Sequence, residues 1–189
     1  MVIKGEKMTE KQWESFCQFK KDLKLKVEEW TAAAPELMEL QKAAAQQTKT
    51  PLYPFETSVV YNRDYDRITK DDDIHLIVIG DNPGKDEQLA KNNRYLVGQA
   101  GKIAEGFFKK NPNLGTDFRK NVIIVNKTPI HSAKTNQLKR MVKELKLLMI
   151  PNKHQAVFLF LIQQKKNLKK VKLLQLVLER ITKKVKNNL

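Results

Sequence analysis

The sequence predicts an α/β domain: a three-layer α/β/α sandwich around a central, mainly parallel sheet, with helices at its N-terminal end. Two observations carry this. Ile74–Ile79, apolar but for His75, and Val122–Val125 are runs dense in β-branched residues, the pattern of strands buried on both faces. Around them, apolar residues recur at helical spacing, and strands alternating with helices build a doubly wound layer structure. At 189 residues the chain is one domain by length, large enough to bury a proper core.

The elements follow in order. Thr9 and Gln12 make a capping-box pattern, after which Trp13, Phe16, Leu23, Val27 and Trp30 recur at helical spacing. A second helix runs from Pro35 to about Gln47, opened by proline, so residues 1–48 form the N-terminal helices. Thr50 to Lys70, with Pro51 and Pro54, reads as an ordered, aromatic-rich connection holding a short edge strand near Val59–Tyr61. The motif-bearing core spans 74–135. Its first strand ends at Gly80, and after a polar loop Ala100, Ile103, Ala104, Phe107 and Phe108 mark one helix face. Its second strand stops at Asn126, and Thr135 can cap a helix carrying Leu138, Met141, Val142, Leu145 and Leu148. Ala156–Ile162 is a third strand-like run, and Leu168, Val171, Leu174, Leu178, Ile181 and Val185 mark a final helix. Ligands bind such sheets at the carboxyl ends of strands, which puts a site just after Ile79 and Val125.

Composition narrows the chemistry. There are 36 Lys+Arg against 21 Asp+Glu, a net charge of +15, so the chain should attract polyanions, nucleic acid foremost. A Lys-rich solvated surface is the alternative reading. One cysteine, Cys17, excludes a disulfide framework and any four-Cys metal or iron–sulfur site; beside Phe16 and Phe19 it reads as a small core residue. The first residues, MVIKGEKMTE, lack the apolar stretch of a secretory signal, and Ala156–Ile162 is too short to span a bilayer. The expectation is a reduced, cytoplasmic monomer with no membrane partner.

The two strand ends hold the informative motifs. The first reads Gly80-Asp81-Asn82-Pro83-Gly84, followed after a loop by Tyr95-Leu96-Val97-Gly98-Gln99-Ala100-Gly101. The second is Val122-Ile123-Ile124-Val125-Asn126. These three elements, in this order, resemble the uracil-DNA glycosylase superfamily: a Gly-x-x-Pro-Gly type turn, a Phe-Val-Gly-x-Ala-Gly helix start, and a strand ending in a base-reading Asn. The likeness covers roughly 60 residues well.

The resemblance implies hydrolysis of the N-glycosidic bond of uracil, or a related damaged base, in DNA. The base is flipped out and water attacks C1′, with no metal or other cofactor. It assigns Asn82 to orient the water and Asp81 to act as electrostatic helper or alternative base. Asn126 would read the base edge, and Gly80, Pro83, Gly84 and Gly98 would shape the binding turn. The family's stacking Phe aligns with Leu96, a departure from the pattern, so the adjacent Tyr95 becomes the candidate aromatic face. The helix starting near Gly98 could offer backbone N–H groups to a phosphate or base carbonyl, or its glycines could serve packing alone.

A second family motif, of His-Pro-Ser type, is not found. His131-Ser132 follows Asn126 too soon, His154 precedes the third strand-like run, and His75 lies inside the first strand. All three read as structural. Residues 141–189 also differ: they hold 12 Lys+Arg against Glu144 and Glu179, and no glycine. They are either a genuine third βα unit or a divergent or frameshifted tail. The functional expectation is a glycosylase of this superfamily, the alternative a degenerate member that binds DNA or a base without cleaving it. A phosphate-cradling nucleotide enzyme ranks last, because no Gly-x-Gly-x-x-Gly or Gly-x-x-x-x-Gly-Lys-Ser/Thr loop occurs.

Overall fold

The computed structural model describes residues 6–33 and 35–144. Within them the elements run β1 (Glu6–Lys7), α1 (Glu10–Ala33), α2 (Leu37–Gln47), β2 (Asp73–Ile74), β3 (Leu76–Gly80), α3 (Gln99–Lys110), β4 (Val122–Asn126) and α4 (Thr135–Glu144). Helices thus flank a small parallel sheet. The third strand-like run at Ala156–Ile162, His154 and the final basic helix lie outside the described residues.

The capping box forms as the sequence requires. The Thr9 N–H donates to Gln12 Oε1 at 2.8 Å, and the Gln12 N–H donates to Thr9 Oγ1 at 3.3 Å. This satisfies two amides that would otherwise be orphaned at the start of α1. The second helix begins two residues later than read, at Leu37. Cys17 is half-buried rather than fully in the core.

The first apolar run is not one strand. His75 interrupts it, its N–H donating to Asn121 O and its ring bonding Thr116 Oγ1 and Asp73. Before the break, β2 pairs antiparallel with β1; after it, β3 pairs parallel with β4, Leu76 against Val122 through to Gly80 against Asn126. Leu76, Val78 and all four apolar residues of β4 are buried. They share a core with Leu23, Tyr65, Tyr95, Ala104, Phe108 and Phe118, each large apolar side chain contributing about 1.5–3 kcal/mol by leaving water. The expected edge strand near Val59–Tyr61 is a single bridge, Val59 to Ile130, flanked by Val60 N–H to Pro129 O at 2.8 Å.

The parallel ladder alternates, so the Ile124 carbonyl faces away from β3. It accepts from Asn62 Nδ2 at 3.1 Å and from Tyr65 Oη at 2.8 Å. Side chains therefore satisfy the outer edge of β4 at this carbonyl.

Candidate functional site at the carboxyl ends of β3 and β4

The ladder brings the ends of both strands to one level, so Gly80 and Asn126 stand side by side. A Cβ on Gly80 would fall inside 3.0 Å of Asn126 Oδ1 and 3.8 Å from Leu96 Cδ2. The glycine is bare because the Asn126 amide occupies its side-chain space. That amide is half-buried and makes no hydrogen bond with any described residue. A carboxamide carries two donors and an acceptor, and leaving them unused in a shielded position is costly unless a ligand or water takes them up. Gly80, Leu96 and Asn126 thus form one corner, polar on one wall and apolar on the other.

The turn beyond Gly80 is held by its own side chains. Asn82 Nδ2 donates to Pro83 O at 3.0 Å, Ser132 O at 3.0 Å and Ser132 Oγ at 2.9 Å. Two of these partners are carbonyls, which can only accept, so the NH₂ end is fixed and Oδ1 faces the other way. There it accepts from Thr135 Oγ1 at 3.2 Å. Thr135 is accordingly the first residue of α4 rather than its cap; the preceding N–H, of Lys134, is taken by Gln137 Oε1 at 3.1 Å. Asp81 is exposed and pairs with Lys127 Nζ at 2.6 Å. Lys127 N–H donates to Gly80 O and Thr128 N–H to Asp81 O, extending the strand pairing past the sheet.

The second motif is tied to the first by a residue that pattern reading missed. Glu87 is buried; its carboxylate accepts from the Gly84 N–H and, at 3.4 Å, from the Gly98 N–H. Burial pushes its carboxyl above the usual carboxylate range, against the opposing pull of these N–H donors. The Gly98 N–H is therefore spent inside the protein. Next to it, Leu96 adopts φ 52°, a left-handed conformation costing roughly 1–2 kcal/mol for a residue with a Cβ. The strain is held in place from two sides. Arg119 donates to Tyr95 O at 3.2 Å and Leu96 O at 2.5 Å, and a Cβ on Gly101 would overlap the Leu96 carbonyl.

This turn separates Tyr95 from Leu96. Tyr95 points into the core, 2% exposed, its hydroxyl donating to Val60 O at 2.8 Å and its ring edge-on to Tyr65. The aromatic face expected of Tyr95 is not offered to the strand ends, because its ring and hydroxyl are both used in packing. Leu96, not Tyr95, supplies apolar surface beside Gly80.

His131 sits under the same turn. It is fully buried, with Nδ1 2.9 Å from Pro83 O and Nε2 2.9 Å from Tyr53 Oη. Since the carbonyl cannot donate, Nδ1 carries the proton and Nε2 accepts from Tyr53. Burial lowers the His131 pKa to about 4 and raises that of the Tyr53 hydroxyl to about 12, so a neutral imidazole and a phenol donor persist together. Phe55 packs edge-on against the imidazole, ring centroids 4.9 Å apart. Gln88, fully buried, accepts from the Glu56 and Thr57 N–H groups and donates to Pro54 O and Lys85 O.

Among the described residues no cluster of three His, Cys, Asp or Glu could hold a metal, and no helix is long and apolar enough to cross a membrane. No protein-family model matches the chain, and no curated protein matches it.

Proposed function

We propose that this chain is a uracil-DNA-glycosylase-like protein that takes uracil, or a related damaged base, out of DNA and hydrolyses its N-glycosidic bond. The observation that carries this reading is the unspent amide of Asn126 beside bare Gly80, with Leu96 as the facing wall. Uracil offers a carbonyl acceptor next to a ring N–H donor, and one carboxamide meets both; cytosine cannot present that pair. Leu96 gives the ring an apolar contact in place of an aromatic stack.

In this reading Asn82 orients the attacking water. Its NH₂ end is anchored on Ser132 and Pro83, so Oδ1 keeps a lone pair free beside the Thr135 hydroxyl. A neutral amide orients water without deprotonating it, and the positive charge that grows on the sugar is offset by Asp81. The proposal gives the chain the three-layer sandwich of that superfamily and assigns it to DNA in the cytoplasm, where +15 favours a polyanion.

A second reading, binding of a base or DNA without cleavage, is favoured by one feature. The Asn82 amide is already engaged with three backbone or hydroxyl oxygens and a threonine hydroxyl, as a purely structural turn residue would be. Uracil release from a single-stranded oligonucleotide, compared with binding of the same strand, separates the two.

A further inference from the structure

One ion pair stands at the strand ends, and it engages a residue the site needs. Asp81 follows Gly80 and Lys127 follows Asn126, so both lie one residue beyond the level at which those strand ends pair. Backbone bonds keep them there: the Lys127 N–H donates to Gly80 O at 3.0 Å and the Thr128 N–H to Asp81 O at 3.3 Å. From that position the Lys127 ammonium reaches across and donates to Asp81 Oδ1 at 2.6 Å. Neither residue has another ion-pair partner among the described residues. Other pairs join helix neighbours, as Lys26–Glu29, Lys42–Glu39 and Lys109–Glu105 do, or tie segments elsewhere, as Lys7–Asp71 and Lys70–Glu10 do.

The pair is placed to be exchanged. Both side chains are half exposed. An ion pair so wetted is weak and screened by salt, whereas an ammonium that meets a nucleic-acid phosphate also releases a counterion. The exchange conserves charge and changes where it sits. In the free protein Lys127 cancels the Asp81 carboxylate, which then has nothing to offer a growing positive charge. With the ammonium on a phosphate, that carboxylate stands uncompensated beside Gly80 and Asn126. The flexible four-carbon stem of lysine permits the swap, and the main chain, held by its two backbone bonds, need not move.

We propose that Lys127 binds a backbone phosphate of the nucleic-acid strand at the site, and that this contact frees Asp81. The inference rests on the nucleic-acid reading of the corner, and its test does not require catalysis. Binding of the full chain to a uracil-free single-stranded oligonucleotide is measured across a range of salt for wild type, Lys127→Gln, Asp81→Asn and the double variant. In the Asp81→Asn background no pair has to be broken. There Lys127→Gln should weaken binding roughly fivefold at about 0.1 M salt and lower the slope of log affinity against log salt by about 0.7. In the wild-type background the same substitution should cost less, on the order of twofold, because the pair is given up on binding. Asp81→Asn alone should tighten binding. No loss on removing the ammonium in either background, or equal losses in both, overturns the proposal. Uracil release by wild type reports separately on the base-excision reading: its absence beside the expected binding pattern sinks that reading and leaves Lys127 in its role.

Discussion

The side-chain amide of Asn126 fills the space in front of Gly80, so the two strand ends share one volume and only one of them can carry a side chain there. Gly101 stands in a similar relation to Leu96, but what it would strike is the Leu96 backbone carbonyl. The two glycines should therefore respond differently to alanine. In Gly80→Ala the Asn126 amide can swing aside, costing about 1 kcal/mol in denaturant unfolding while displacing the group that would read a base. In Gly101→Ala the backbone cannot yield without releasing the left-handed turn, and the loss should approach about 3 kcal/mol. Equal losses would mean that the Leu96 turn is less constrained than its contacts indicate.

Much of this arrangement is legible in the sequence. Val122–Asn126 reads as a buried strand with a polar end, and Thr9 with Gln12 reads as a helix start, because period and capping are local properties. The same holds for Gly80 as the end of an apolar run. Tyr95 and Leu96 are adjacent, and nothing in their order tells that the chain turns left-handed between core and site. His131 reads as structural, and it is, but its partners Pro83 and Tyr53, like the Asn82 partner of Thr135, lie far away in sequence and are not legible there. A buried Glu87 carries no periodic signal; the acidic residue three positions after a glycine turn was its sole trace. His75 splits the first strand through bonds to Asn121 and Thr116, which periodicity does not record.

Glu87 makes the stability of the site pH-dependent in a sense opposite to most carboxylates. Its folded pKa lies above the ordinary value near 4.5. Below that value both states are protonated and its contribution is fully present. As pH rises, the unfolded chain ionises first, and stability is lost as pH passes through the folded pKa. Glu87→Gln should abolish this component, seen as the difference between wild-type and variant unfolding curves across mildly acidic pH. A difference that does not change with pH would show that the carboxyl is not perturbed.

His131 works in the reverse direction. Its folded pKa of about 4 lies below the usual histidine value of 6.5, so its contribution is present above 6.5. On acidification the unfolded chain takes up the proton first, and stability should fall by up to about 1.4 kcal/mol per pH unit until about pH 4. His131→Gln should flatten that slope. Because the two groups act oppositely, single variants measured over the same pH range resolve them; an unchanged slope in His131→Gln would mean that the imidazole is solvated.

The most direct test is single-turnover release of uracil from single- and double-stranded oligonucleotides by wild type, Asn82→Ala, Asp81→Ala and Asn126→Ala. The account predicts measurable release by wild type. It predicts a large fall in Asn82→Ala, and a smaller one in Asp81→Ala, through loss of charge stabilisation. For Asn126→Ala it predicts weaker uracil recognition, by about 1–3 kcal/mol, with little change in folding stability. Background-level release by all four proteins would contradict it.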